Sequence, residues 1–183
     1  MTAITQLVLA IDDPLSKLGL TVTSSDSDPF SLSAVISAGD QNGVSAFDAI
    51  INIVKSTKKC SIQTKPKDQA EIDSLKDQIV ALSQPQVSDE VFEGLNKILL
   101  NNVFIISGKF TVVDALITLS LFRHMPTLLK KENAYTRFCN VIRYFDFIQH
   151  QKIFGSVFTA AKAVSGAECV TVVDCGLPNQ TAL

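Results

Sequence analysis

The stretch that decides the fold is Phe110–Phe122, FTVVDALITLSLF. It is apolar almost throughout, yet Thr111 and Asp114 sit within its first five residues. Their spacing is that of a reciprocal helix cap. With Thr111 as N-cap, its hydroxyl accepts from the Asp114 amide, and the Asp114 carboxylate reaches back to the Thr111 amide. Phe110 and Ala115 then stand at the positions of a weak hydrophobic staple. The carboxylate also faces the positive end of the helix dipole. The segment beyond, ALITLSLF, has no polar face, which predicts a central helix buried all round. Water cannot reach the first amides of such a helix, so the chain must cap them itself. A catalytic carboxylate at Asp114 is the sharper alternative, but no second acid or histidine lies near it in sequence.

Helical patterns surround this segment. Upstream, Ser45 and Asp48 open SAFDAIINIVK, where Phe47, Ile50, Ile51 and Val54 recur at helical spacing. Pro66 suits a first turn, and Ile72, Leu75, Ile79 and Leu82 form one apolar face after it. SQPQ, Ser83–Gln86, breaks that helix. Ser88 caps the next, with Val91, Phe92, Leu95, Ile98 and Leu99 as its stripe. Pro126 is expected to end the central helix. Val141, Tyr144, Phe145 and Ile148 mark a helix from about Tyr135 to Gln149, and KIFGSVFTAAKAV reads as a last one.

The first third is strand-like. TQLVLAI (5–11) suits a buried strand or a short helix, and FSLSAVIS (30–37) alternates as a strand does. SSDSDP (24–29) is loop chemistry, and GDQNG (39–43) is a turn that closes a hairpin. The basic run STKKCSIQTKPK (56–67) reads as a solvated linker, with an anion site as its alternative. No repeat is present. The layout is a small α/β lobe over 1–60, a helical domain over 61–167 and a tail over 168–183 leading to a further domain.

Composition bounds the function. The 183 residues are 46% hydrophobic and 19% charged, a globular balance. A net charge of −2 gives no basic excess with which to neutralise phosphates, so unaided nucleic-acid binding is not expected. No run of about 18 uncharged apolar residues suggests a membrane span. MTAITQLVLAIDDP lacks a basic start and makes a poor signal peptide. Cys60, Cys139, Cys169 and Cys175 contain no C-x-x-C pair and read as reduced cytosolic thiols. Cys169 and Cys175 flank VTVVD, a spacing open to a disulfide or a metal pair. His124 and His150 stand alone in sequence and suit surface or helix-end positions. Neither a G-x-G-x-x-G nor a Walker loop is present.

The segment LNKILLNNVFIISGKFTVVDALI, Leu95–Ile117, resembles the helical domain of the glutathione-transferase fold, whose buried sixth helix begins with a capping box and staple. NVIRYFDFIQH, Asn140–His150, resembles the N-V-x-R-W-F-x-H-I-Q signature of transferase-like domains on aminoacyl-tRNA synthetases and their multisynthetase-complex auxiliary and tRNA-import proteins. Related domains occur on elongation factor 1 subunits. Tyr144 replaces the usual Trp, and Phe147 the usual His. The likeness is good from about Ser88 to Gln151 and moderate from Gln6 to Lys55. It implies a reduced thioredoxin-like lobe (α/β) followed by an all-α bundle.

The resemblance also implies which ligands a glutathione enzyme would need, and this chain departs from them. The cis-proline position falls on Ala34, the acid-serine pair on Ala46 and Phe47, and only Ser16 is a loose candidate for the thiolate-stabilising residue. Each loss removes charge-assisted bonds. The expectation is therefore a noncatalytic adaptor with no cofactor and no metal. Its implied partners are aminoacyl-tRNA synthetases or other transferase-like domains, with homodimerisation open to the same surfaces. Any tRNA contact would run through a domain outside this chain. An elongation factor 1 subunit domain is the alternative. The family arginine that stacks on its counterpart falls on Arg143, beside Tyr144. A second surface would draw on Phe47, Ile51 and the helix start near Pro66, although those apolar residues equally suit the core.

Overall fold

The computed structural model describes residues 22–24, 35–38, 41–57, 60–106 and 108–150. Three short strands come first: β1 (Val22–Ser24), β2 (Val35–Ala38) and β3 (Gln41–Ser45). They pair antiparallel in the order β1-β2-β3, with Val22 opposite Ala38 and Ala38 opposite Gln41. A register shift lies between Ile36 and Ser37. Thereafter the chain is helical: α1 (Ala46–Ser56), a 3-10 turn (Pro66–Asp68), α2 (Gln69–Leu82), α3 (Asp89–Ile98), α4 (Val112–Leu128), the single turn α5 (Ala134–Arg137) and α6 (Cys139–Gln149).

This corrects the expected thioredoxin-like α/β lobe. Such a lobe is built on parallel strands joined through crossover helices. Among the described residues the strands form only a short antiparallel meander, and the rest is mostly helical. Alternation in FSLSAVIS reports an extended chain; it carries no information on which strand lies beside it, or in which direction. The strand or short helix expected at 5–11, Ser16, Ala34, the helix after Gln151 and the tail with Cys169 and Cys175 lie outside the described residues.

α4 is the axis of the core. Of its residues only Arg123, Pro126 and Thr127 escape burial. α2 and α6 pack against it, and α3 packs on both α2 and α6. Burying one large aliphatic or aromatic side chain contributes about 1.5–3 kcal/mol, and Leu116, Ile117, Leu119, Leu121, Phe138 and Phe145 are each at most 1% exposed. Gly94 allows α2 and α3 to meet closely: a Cβ there would lie 2.7 Å from the Gln78 side chain. Gln78 Nε2 donates to the Val91 carbonyl at 3.1 Å across the same contact. Gly108, with φ at 61°, supplies the left-handed turn before α4.

Two boundaries differ from those read in the sequence. Pro126 does not end α4, which continues to Leu128. It sits in the last turn, where its missing N–H costs one bond and only two helical residues follow. The expected helix from Tyr135 to Gln149 is two pieces: α5 starts after Asn133, at φ 55°, and is separated from α6 by Phe138, at φ −119°. No described helix is long and apolar enough to cross a membrane.

Candidate interaction site

The start of α4 is a closed polar knot. Thr111 and Asp114 form the capping box, and both are fully buried. Asp114 Oδ2 accepts from the Thr111 amide and the Thr111 hydroxyl, each at 2.9 Å. Oδ1 accepts from the Ile105 amide and the Tyr144 hydroxyl, each at 2.9 Å. One carboxylate thereby ties the loop after α3, the start of α4 and the middle of α6. Burial pushes the Asp114 carboxyl above its ordinary range, and these four donors pull against that shift without overcoming it. Burial, joined by the charge of Asp114, likewise pushes the Tyr144 hydroxyl well up. Every donor is spent on the fold, so the knot offers no free group to a substrate.

The neighbouring side chain on α6 points the other way. Arg143 is exposed, and its Nη2 donates to the Leu99 carbonyl at 2.7 Å. A cation there complements the negative end of α3. Leu100 and Val103, each 61% exposed, lie in the loop that follows α3, and Phe147, 41% exposed, lies on α6. Phe147 stands edge-on to Phe104 at 6.0 Å, and Phe104 to Phe110 at 6.5 Å. A hollow of about 230 Å³ opens here between Asn102, Val103, Arg143, Tyr144 and Phe147.

The backbone beneath this face is held firmly. Arg137 pairs with Asp89 and Glu93, both at 2.5 Å, near the start of α3. In the middle, Asn96 Oδ1 accepts from the amides of Asn140 at 2.9 Å and Val141 at 3.2 Å. At the end, Arg143 reaches Leu99. α3 thus runs alongside α5 and α6 in one direction, linked once to α5 through Arg137 and at two levels to α6. Such a frame presents a guanidinium and apolar side chains in fixed positions, which suits a protein surface more than a reaction.

The other expected interface residues lie elsewhere. Phe47 and Ile51, 2% and 3% exposed, are packed inside α1, with the Lys76 ammonium 5.9 Å from the Phe47 ring centre. Tyr144, 2% exposed, belongs to the knot and borders the hollow only at its edge. Ala46 and Phe47, at the positions where a transferase would bind the γ-glutamyl end, are buried and carry no polar side chain. Among the described residues no three His, Cys, Asp or Glu side chains gather as a metal site would require. Leu100 and Val103 were not legible as surface residues. The one signal, for Leu100, was the doubled leucine at Leu99–Leu100: past a helix with a single apolar stripe, adjacent residues point about 100° apart and only one follows the stripe.

No curated protein matches this chain. Residues 72–152 match the Arc1p N-terminal-like family, described as nuclear-export cofactor Arc1p. The matched segment contains α3, the knot and Arg143. It fits the resemblance of this sequence to the glutathione-transferase-like domains of synthetase-complex cofactors.

Proposed function

We propose that this chain is a noncatalytic docking domain of the translation machinery, acting in the cytoplasm. It joins aminoacyl-tRNA synthetases or tRNA-binding cofactors by contact between transferase-like domains. The observation that supports this most directly is the Arg143 face: an exposed arginine, fixed at Leu99 and sharing a hollow with the exposed Val103 and Phe147. Arginine carries both a planar donor fork and a stacking face, and exposed apolar groups around it supply area to bury. The face is self-complementary in kind, so it suits a second copy or a related domain about a two-fold axis. Phe47 and Ile51, being buried, would shape the second surface along α1 from beneath.

Arg143→Ala tests the reading. Light scattering after size exclusion, with a partner domain recovered by co-purification and identified by mass spectrometry, should show association weakened about tenfold or more. Folding stability should fall by only about 1 kcal/mol, the net worth of the bond to Leu99, so the domain stays folded while association is lost. An unchanged mass profile would remove Arg143 from the interface. Recovery of elongation factor subunits alone would move the domain to that assembly.

A further inference from the structure

The basic linker forms one wall of a cleft. It is clamped in place by the Ile62 carbonyl, which accepts from the Val112 amide at 2.8 Å, and by Gln63 Nε2, which donates to the Lys55 carbonyl at 3.0 Å. These bonds fold the linker against the end of α1 and the loop before α4. The cleft between them is about 560 Å³, within the range of small-ligand sites. It is lined by Lys55, Lys65 and Lys109, three cations from three separate parts of the chain, together with Gln63, Thr64 and Gln69. Among the described residues, no acid lines it. Two carboxylates of the adjoining 3-10 turn and α2 are engaged with local partners: Asp68 accepts from the Lys65 amide at 2.9 Å, and Asp73 from the Gln69 side chain at 2.5 Å. Lys55 donates to the Gln69 side-chain oxygen, a neutral acceptor.

Thr64 gives a second, independent sign. It is 6% exposed, lines the cleft, and its hydroxyl oxygen has no hydrogen-bond partner among the described residues. A buried hydroxyl left in that state has lost its water without a replacement partner, a cost that a ligand oxygen would relieve.

We infer that this cleft binds a small phosphate-bearing anion, of the size of pyrophosphate or a nucleoside triphosphate. The ammonium groups of Lys55, Lys65 and Lys109 meet its oxygens, and the Thr64 hydroxyl donates from below. Lysine serves phosphate as a point charge, so three flexible ammonium groups converging on one cavity need no fixed fork. A compact anion is favoured over RNA because the cations converge, where a long backbone needs a stripe of them, and because the whole chain is net negative.

Calorimetric titration of the full chain at low salt decides the matter, with pyrophosphate, ATP, adenosine and a short single-stranded RNA as probes. Pyrophosphate and ATP should bind once per chain, and adenosine should not bind. The exposed-site variant Lys65→Gln/Lys109→Gln should weaken pyrophosphate about a hundredfold, at roughly tenfold per lysine. Thr64→Val should weaken it several-fold. Lys67→Gln, on the same linker but outside the cleft, should stay within about twofold. Lys109→Gln alone provides the same test if the double variant melts early. The assignment is overturned if pyrophosphate does not bind, if adenosine binds as well as ATP, or if Lys67→Gln loses as much as Lys109→Gln. It is equally overturned if RNA binds and pyrophosphate fails to compete.

Discussion

The molecule starts two of its helices with the same device in opposite surroundings. At α1, Ser45 Oγ accepts from the Asp48 amide at 3.2 Å and donates to the Asp48 carboxylate at 2.6 Å. At α4, Thr111 and Asp114 share that spacing and close a full capping box, in which the Asp114 carboxylate also accepts from the Thr111 amide at 2.9 Å. Asp48 is partly open, and Lys76 pairs with it at 2.7 Å. Asp114 has no cation beside it among the described residues; two amides and two hydroxyls surround it. Partial burial pushes the Asp48 carboxyl up, but the bonds from Lys76 and Ser45 outweigh it, and its pKa ends below the ordinary 3.8. Asp114 ends above that value, because complete burial outweighs its four donors. A capping motif therefore fixes local geometry, while burial decides how much of the tertiary structure depends on it.

The most severe way to break the comparison is to remove the acid at each site. Asp114→Ala leaves four buried donors without an acceptor and should cost about 4 kcal/mol in denaturant unfolding, among the largest single-residue effects. An effect near 1 kcal/mol would mean that the knot is no more important than an exposed cap. Tyr144→Phe sharpens the point, since it keeps the ring and removes one buried donor. It should cost about 1.5–2 kcal/mol by thermal melting. Ser45→Ala, at the open cap, should cost about 1 kcal/mol and leave the α3–α6 face intact, as judged by partner binding.

The contrast between the two caps also marks what could be read in advance. Both were legible as spacings: Ser45 with Asp48, Thr111 with Asp114. That α4 is buried all round was legible from ALITLSLF, because no polar face interrupts it. The Ile105 amide and the Tyr144 hydroxyl were not, since nothing in a local pattern says which distant donor a buried carboxylate will collect. Tyr144 stood out only as a replacement for Trp, and was assigned to the surface with Arg143. Adjacent residues of a helix lie about 100° apart, enough to send one to the core and one to solvent. The N-terminal lobe was misjudged for a related reason: strand alternation is local, and pairing direction is not. The anion-site alternative for the linker needed Lys55, Lys109 and Val112, which no local pattern places beside Thr64.

The smallest expected effect is the most discriminating, because its sign differs between the two caps. For Asp114 the folded pKa is raised, so between 3.8 and that raised value the folded chain holds more protons than the unfolded one. The stabilising contribution of this group is complete below 3.8 and is lost as pH rises through the folded pKa. For Asp48 the folded pKa is lowered, so its contribution is present above 3.8 and is lost as pH falls through the folded value. The Lys76 pair is open to solvent, which holds the Asp48 effect to about 0.5 kcal/mol. Denaturant unfolding of the parent chain, Asp114→Asn and Asp48→Asn across the acid range separates the two. Relative to its parent, Asp114→Asn should look progressively worse as the solution is acidified towards 3.8. Asp48→Asn should do the reverse below 3.8, its deficit shrinking as the parent loses the Lys76 pair. If both variants track the parent in the same direction, burial does not govern Asp114, and the two caps are energetically one device.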